Sequence, residues 1–509
     1  MSRFHPPFLA FAAAVVLSSC GSAPPPPPPP SATRDLAALD TVTSSIMGMP
    51  VTTASAEARN HFLQGQRELD LARNFEALDH FKLAVAADST FAIAYLNIAT
   101  TGNSLGEFKT NLARAEALAA KASDAEQLQI AIARKGLEND ASGQLTTAQQ
   151  LVAKYPDSPR AYLTLGNIET GLNKSAEARA AYEKALSLAP KFAVAHIAIG
   201  TSYLFGEPRD FNQALQHYQA AEALAPNEPS MHDFVGDAQR ALNNLSQARA
   251  EYTRGHVLNP RDAGMLQQRG HVNSFAGDFD AARSDYDSAM AVGRGNERGF
   301  FAPFRAYVSV YAGNAKDGIS ELNQLVAKAD GMGIPDPVTV KINALSNVAL
   351  IAIDTRDFPS ADAALKQRTP LMMQQADQVG SAGFRRAQQQ NIAYFAAWLA
   401  ARKEDYRTAL RETNRLTALV TPDANPRKME PVHQLKGFIA LYQGHNAEAA
   451  TQFAQGNLLD PYIKFNYAMA LDGSGQSEKA KPIFRELAIY NFNSLGYALI
   501  RKEAQQMAM

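Results

Sequence analysis

One spacing of small, aromatic and proline residues recurs along the chain and restricts its possible folds more than any other feature. Gly166 is followed by Ala178, Tyr182, Ala185 and Pro190, at offsets of 12, 16, 19 and 24 residues. Five further copies, one of them with two residues inserted in its turn, begin at equivalent glycines: Gly65, Gly200, Gly236, Gly270 and Gly437. A repeat of this length predicts a row of similar supersecondary units that bury their apolar faces against one another.

The spacing resembles that of the tetratricopeptide repeat (TPR) family. In that family each repeat is a hairpin of helices A and B, and its small residues allow the helices to pack closely. The resemblance implies an all-α fold, an α-solenoid of about 11–12 stacked helix-turn-helix hairpins, with a capping helix from Asn493 to about Met507. Weaker copies are predicted around residues 92–124, 125–158, 299–332, 342–379, 390–425 and 461–493.

The N-terminus has the features of an export signal. Arg3 precedes the uncharged, mostly apolar run Phe8–Leu17, which is too short to span a bilayer as a mature helix. The run ends in Leu-Ser-Ser-Cys-Gly at residues 17–21, which resembles the lipobox of bacterial lipoproteins. The resemblance implies that residues 1–19 are a cleaved signal peptide and that Cys20, the only cysteine, carries the lipid. An ordinary secretory signal with a chance cysteine is the alternative.

The residues after Cys20 indicate which membrane holds the protein and how far its folded body lies from that membrane. Gly21 stands where lipoproteins retained in the inner membrane commonly have aspartate, so the resemblance favours the outer membrane and a periplasmic body. Seven prolines, residues 24–30, predict a stiff polyproline spacer of about 20 Å. The predicted divisions are a signal peptide at 1–19, a lipidated tether at 20–57, a first TPR sub-array at 58–296, degenerate units with a possible hinge at 297–389, and a C-terminal sub-array with its cap at 390–509.

The TPR resemblance also implies a binding groove, because that family binds ligands on a concave surface lined by the A helices. In the first half this register selects mainly polar residues, of which the candidates for ligand binding are Arg160, Asn167, Asp237 and His271. In the second half it selects a mainly aromatic set: Tyr394, Trp398, Arg402, Phe438 and Tyr442. Aromatic faces in a groove predict contact with a peptide, a partner helix or sugar rings. The alternative is that packing buries these rings between hairpins.

Sequence features of catalysis are missing. The chain has none of the spacings HExxH, GxSxG or GxxxxGK, which mark zinc, serine and phosphate chemistry. The ten histidines are scattered, and His196 and His232, which recur at one repeat position, lie 36 residues apart. The net charge of −1 gives no global attraction for nucleic acid. We therefore predict no enzyme activity, no metal site, no cofactor and no nucleic-acid partner.

The leading functional hypothesis is a membrane-anchored TPR scaffold that mediates protein–protein interaction in the cell envelope, with a protein or peptide ligand in the groove. The first alternative is an outer-membrane lipoprotein that captures glycans or solutes in the aromatic half. The second is an all-helical glycan hydrolase, which requires two carboxylates facing each other at about 5–9.5 Å. No feature of the sequence places such a pair.

Overall fold

The computed structural model describes residues 45–102, 104–423 and 425–509, and within them 25 α-helices form twelve antiparallel hairpins and one final helix. A two-stranded ladder, β1 (Ser45–Ile46) with β2 (Met49–Pro50), precedes them. The first six hairpins are α1 (Ala56–Asp70) with α2 (Asn74–Ala87), α3 (Ala92–Thr101) with α4 (Leu105–Leu118), α5 (Asp124–Leu137) with α6 (Ala141–Lys154), α7 (Pro159–Gly171) with α8 (Ser175–Leu188), α9 (Ala193–Phe205) with α10 (Phe211–Leu224), and α11 (Pro229–Ala241) with α12 (Leu245–Leu258).

The second six hairpins continue the same alternation, and a single helix ends the chain. They are α13 (Ala263–Ala276) with α14 (Phe279–Val292), α15 (Glu297–Tyr311) with α16 (Ala315–Lys328), α17 (Pro337–Asp354) with α18 (Phe358–Val379), α19 (Ala382–Arg402) with α20 (Tyr406–Val420), α21 (Glu430–Tyr442) with α22 (Asn446–Phe453), and α23 (Pro461–Gly473) with α24 (Ser477–Ala488), followed by α25 (Leu495–Met507). The predicted all-α solenoid, its number of hairpins and its terminal helix are confirmed.

Local sequence explains where the hairpins begin and turn. Ser123 and Glu126 form a capping box at the start of α5, which satisfies amide groups that have no partner within the helix. In most hairpins one residue between the two helices takes a left-handed backbone conformation, as Asn173, Asn243 and Gly277 do. Asparagine and glycine adopt that conformation at low cost. Short, sharp turns therefore keep the two helices of each hairpin antiparallel.

The repeated glycine sets how closely helices A and B approach. A Cβ built on Gly166 would lie 2.4 Å from the ring of Tyr182, and one built on Gly236 would lie 2.6 Å from the ring of Tyr252. Both tyrosines are buried. The aromatic ring of helix B therefore occupies the space that any larger side chain on helix A would need, which confirms the role predicted for the spacing.

The odd-numbered helices form the inner, concave layer of the solenoid. Each hairpin packs on the next, and from α7 to α21 successive odd-numbered helices also contact one another. In the described residues, successive even-numbered helices do not contact one another to the same extent. The even-numbered helices therefore diverge on the outer side. This is the layer order that the TPR resemblance implies.

Contacts between distant hairpins close the solenoid on itself. In the first hairpin, Arg73 donates to Glu228 (Nε to Oε2, 2.8 Å) at the start of the sixth, and Ser230 Oγ donates to the carbonyl of Leu71 at 2.7 Å. Repeat arrays usually depend on neighbours alone. Here hairpins more than 150 residues apart are joined.

A long helical arm makes a second distant contact. Helices α17, α18 and α19 have 18, 22 and 21 residues, and the tip between α18 and α19 reaches the second and third hairpins. Lys109 donates to the carbonyl of Gln378, and Phe384 belongs to the same core cluster as Leu112 and Ile130. A Cβ on Gly383 would lie 2.0 Å from the carbonyl oxygen of Glu138, so the tip contacts the backbone at the end of α5 directly.

The final helix does more than close the last hairpin. Helix α25 packs against α23 and α24, as a cap should, and it also contacts α15 and α17. Arg501 donates to the carbonyl of Phe275 at 2.9 Å, which places α25 against the inner helix α13. The predicted capping helix therefore also packs against inner helices of earlier hairpins.

The middle hairpins share their core with the C-terminal ones. One core cluster contains buried residues of both groups of hairpins, from Phe275 to Ala504. The hinge predicted at 297–389 stays a prediction, as do the domain boundaries. Among the described residues, α17 is the one helix long and apolar enough to cross a membrane. Its residues Leu345 and Val348 lie in the protein core, as is typical of a central packed helix.

Candidate binding groove on the inner helices

The inner helices of the hairpins from α9 to α15 hold a short segment of the same chain that has no regular secondary structure. Residues 490–494 between α24 and α25 have no regular secondary structure, and we call residues 489–494 the C-terminal linker. The Phe492 ring lies 5.5 Å from the ring of Phe205 and 5.8 Å from that of Phe211. The guanidinium of Arg209 lies 5.4 Å from the centroid of the Phe492 ring, within cation–π range. An aromatic side chain thus anchors the linker at α9 and α10.

Two asparagines fix the rest of the linker. The Asn491 amide donates to the side-chain oxygen of Asn243 at 2.7 Å and to the carbonyl of Arg240 at 3.3 Å. The Asn493 amide lies 2.7 Å from His271 Nδ1 and donates to the Tyr286 hydroxyl at 3.2 Å, while its oxygen accepts from the Tyr311 hydroxyl at 2.9 Å. Both asparagines are buried. Inner helices α11, α13 and α15 therefore recognise an extended segment through its amide side chains.

His271 stands at the centre of this contact as a neutral imidazole. Burial keeps the pKa of His271 well below its usual range. Gln267 Nε2 lies 2.8 Å from His271 Nε2, and the Tyr286 hydroxyl lies 2.7 Å from Nδ1. A neutral ring donates from one nitrogen and accepts at the other. Because the Asn493 amide nitrogen donates to Nδ1, that nitrogen accepts and Nε2 carries the ring proton, which the side-chain amide of Gln267 accepts with its oxygen facing the ring.

The buried neutral state of His271 predicts a pH dependence of stability. The unfolded chain gains a proton at this histidine below its ordinary pKa of 6.5, whereas the folded chain does not. The free energy of unfolding therefore loses up to about 1.4 kcal/mol per pH unit from this group as the pH falls below that value. Urea unfolding of H271Q between about pH 8 and pH 5 should show a shallower acid-side decline than the unsubstituted protein. Parallel pH profiles would contradict this.

A buried ionic network supports the linker from behind. Arg240 is fully buried; it donates to Asp237 at 2.7 Å and to Gln268 at 3.0 Å. The Tyr252 hydroxyl also donates to Asp237, at 2.7 Å, and burial raises the pKa of Tyr252 well above its usual range. The Arg240 guanidinium is thus paired with Asp237 inside the protein, while its Nε and the Gln268 Nε2 have no hydrogen-bond partner among the described residues.

The four polar residues predicted for the first half of the groove have different surroundings. Arg160 is half-buried and paired with Asp70 at 2.6 Å. Asn167 is half-buried and accepts from the Tyr182 hydroxyl at 2.9 Å. Asp237 and His271 are buried, at 6% and 0% exposure. The prediction that Asp237 and His271 lie on an open surface is therefore wrong, because Asp237 belongs to the network of Arg240 and the linker covers His271.

The aromatic set predicted for the second half is largely closed off. Trp398 is 3% exposed and Phe438 is 0% exposed; their rings stack at 5.3 Å, and Trp398 Nε1 donates to the Tyr442 hydroxyl at 3.1 Å. Tyr394 and Tyr442 are half-buried. The prediction of an open aromatic wall is therefore wrong for Trp398 and Phe438, and the alternative of burial describes them.

Contacts across the interior explain why this half is closed. The Tyr462 hydroxyl of α23 donates to Asp354 of α17 at 2.5 Å. Arg402, which is half-buried, donates to the carbonyl of the same Asp354 at 2.9 Å and lies 4.7 Å over the ring of Tyr442. Inner helices three hairpins apart thus meet, and aromatic side chains fill the space between them. Arg402 ties the C-terminal end of α17 to α19.

Sequence reasoning did not identify the C-terminal linker as a functional element. Residues 490–494 read as a turn between two helices, yet three successive residues, Asn491, Phe492 and Asn493, are buried. Asparagine is common in turns, so Phe492, a large apolar residue between two asparagines, is the one signal in the sequence. Nothing in the sequence indicates that its partners lie more than 200 residues earlier.

The comparisons with known proteins agree with this fold. Residues 159–192 match the model of the tetratricopeptide repeat family. The match covers one hairpin, α7 with α8, of the α-solenoid that the described residues form. No curated protein matches the chain in sequence.

Similar solved structures share low sequence identity with the chain. The APC/C hetero-tetramer Cut9–Hcn1 is 15% identical, with 88% of this chain and 76% of that chain covered and a TM-score of 0.44. YrrB, described as a TPR protein with an unusual peptide-binding site, is 19% identical over 35% of this chain and 89% of its own, with a TM-score of 0.26. A thermophilic TPR protein in Thermus thermophilus, TTC0263, is 18% identical over 42% of this chain and 98% of its own, with a TM-score of 0.28. The likeness concerns the fold alone.

Proposed function

We propose that the protein is a lipid-anchored scaffold of the bacterial cell envelope that binds extended segments of partner proteins on its inner helices. One observation carries the proposal: α9–α15 hold the C-terminal linker through Asn491, Phe492 and Asn493. A surface that recognises an extended segment of its own chain has the chemistry to recognise a similar segment from another protein. The TPR match at residues 159–192 supports the same class of function.

The anchor rests on the sequence, because residues 1–44 lie outside the described residues. The apolar run 8–17 and the Leu-Ser-Ser-Cys-Gly sequence support export, cleavage and lipid attachment at Cys20, and Gly21 supports the outer membrane. Two or more acyl chains on one cysteine are sufficient to attach a protein stably to a membrane. The proline tract would hold the solenoid away from the bilayer on the periplasmic side.

Replacing Cys20 with serine tests the anchor. We expect C20S, expressed in a Gram-negative host, to lose radiolabelled palmitate and to move from the membrane fraction to the soluble periplasmic fraction, because serine offers no thiol for the lipid. S19T, which keeps the cysteine, is the matched control. Equal membrane retention of C20S and S19T would contradict the lipid anchor while leaving the binding role untouched.

A photocrosslinker tests the binding role separately. We would insert a photoreactive phenylalanine at Asn167, on the inner helix α7, and in a second variant at Val257, which is 72% exposed on the outer helix α12. A partner held by the inner layer should give a reproducible adduct from position 167 and none from position 257. Adducts from position 257 alone, or none from either, would rule out the inner layer as the binding surface.

The structure removes the main support for glycan capture. That hypothesis depended on an open aromatic groove, and Trp398 is instead 3% exposed with its indole nitrogen bonded to Tyr442. Stacking on a sugar ring needs an accessible aromatic face. We therefore do not carry glycan binding forward as a second function.

A further inference from the structure

We propose that Glu222, His232 and Glu251 form a binding site for a divalent transition-metal ion, with zinc the best fit. The three side chains come from three consecutive helices, α10, α11 and α12. His232 Nδ1 lies 2.9 Å from Glu251 Oε2 and 3.4 Å from Glu222 Oε1. One ligand atom from each residue lies within 4.8 Å of the others.

These separations suit a zinc ion. Four ligands at about 2.0–2.1 Å in a tetrahedron lie roughly 3.3 Å from one another. The two distances at His232 bracket that value, and small rotations of the carboxylates would complete the arrangement. One imidazole nitrogen with two carboxylate oxygens is a donor set that zinc accepts, and a water molecule would supply the fourth position.

The surroundings favour a held rather than a diffuse cation. His232 and Glu251 have side-chain exposures of 11% and 14%, and Glu222 has 29%, so the site is sheltered but reachable. Arg254 donates to the other oxygen of Glu251, Oε1, at 2.7 Å. That bond orients the carboxylate and leaves Oε2 directed at His232, as outer-shell partners commonly do for metal ligands.

Other repeats place a histidine at the same position but lack the full set. His232 and Glu251 occupy repeat positions that hold His196 with His217 in the hairpin α9–α10, and His433 with Gln452 in the hairpin α21–α22. Within the described ranges, Glu222, His232 and Glu251 are the one group of three such ligands close enough to share an ion. The third ligand comes from the preceding hairpin, so the ion would tie two hairpins together.

This arrangement was not visible in the sequence, where we predicted no metal site. The three residues are separated by 10 and 19 positions, which matches no short metal-binding spacing. Only the stacking of α10 on α11 brings Glu222 to His232. The site would also brace α11, the helix that carries Arg240 and Asp237 behind the C-terminal linker, and in that respect it extends beyond the proposed function.

The test uses the full chain, stripped with a chelator and titrated with Zn²⁺ by calorimetry and with Co²⁺ by visible absorption. We expect saturable binding of one Zn²⁺ per chain at this site, a tetrahedral Co²⁺ spectrum and a higher thermal midpoint with metal. H232Q and E251Q should abolish saturable binding, and E222Q should weaken it. R254A should weaken it by about 10-fold or more through the outer shell.

Matched controls separate the site from the other histidines and from misfolding. H433Q and H196Q remove the equivalent histidines of other repeats and should leave the affinity unchanged. Circular dichroism of H232Q without metal should match that of the unsubstituted protein. Absence of saturable binding, or equal binding by H232Q and H433Q, would overturn the proposal and identify the cluster as a set of side-chain hydrogen bonds between neighbouring hairpins.

Discussion

Replacing Gly236 with alanine is expected to lower the free energy of unfolding by about 2–3 kcal/mol, a large effect for one methyl group. The added Cβ would lie 2.6 Å from Cε1 of Tyr252, well inside van der Waals contact. Tyr252 has no room to retreat, because it is fully buried and its hydroxyl is bonded to Asp237. Helices α11 and α12 would have to separate, which would disturb the network that supports the C-terminal linker.

Urea unfolding followed by circular dichroism measures this effect. G331A is the matched control, because a Cβ on Gly331, an exposed residue, would meet no atom within 4 Å. The control should unfold at the same urea midpoint as the unsubstituted protein, while G236A should unfold at a lower urea concentration. Equal midpoints for G236A and G331A would show that the close approach of helices A and B is not needed for stability.

Replacing Asn493 with alanine should release the C-terminal linker at a cost of about 3 kcal/mol, because it leaves buried polar groups without partners. Asn493 is fully buried. Its amide nitrogen donates to His271 and Tyr286, and its oxygen accepts from the Tyr311 hydroxyl. We expect hydrogen exchange to rise selectively in residues 489–507, since this segment opens before the hairpins do. Asn212 is exposed on α10, and N212A is the matched control.

The same variant tests whether the vacated surface binds peptides. A fluorescent peptide with the sequence of residues 487–497 must compete with the tethered linker, whose effective concentration is in the millimolar range. A loss of about 3 kcal/mol in linker docking should strengthen peptide binding by about 100-fold. Rising exchange without peptide binding would mean that the linker is purely structural. Unchanged exchange in N493A would mean that Asn493 does not hold it.

The sequence predicted the repeated part of this structure well because the repeat is local chemistry. Gly236, Ala248 and Tyr252 lie within one hairpin, and their spacing alone determines that helix A packs closely on helix B. The same reasoning predicted hairpins in the weaker copies, where six pairs such as α3 with α4 now lie. Packing between neighbours follows from the same positions in every copy.

The interior could not be predicted in this way, because its contacts join residues far apart in sequence. Trp398 occupies a register position that would be open in an extended solenoid, but Tyr462 and Arg402 draw α23 and α19 onto α17 and cover it. Likewise His271 is covered only because Asn493 reaches it from 222 residues away. Register specifies which face of a helix points inward, whereas curvature decides whether that inward face meets a ligand or another helix.

The distant contacts of the first hairpin and of the α18–α19 arm also limit how such a protein can change its length. An open array of hairpins tolerates the gain or loss of one unit, since each unit touches only its neighbours. Here Arg73 must reach Glu228, and Gly383 must meet the backbone at the end of α5. Removing either of the two hairpins that lie between both pairs, α7 with α8 or α9 with α10, would put both pairs out of step at once. The distant contacts therefore fix the number of hairpins that can lie between their partners.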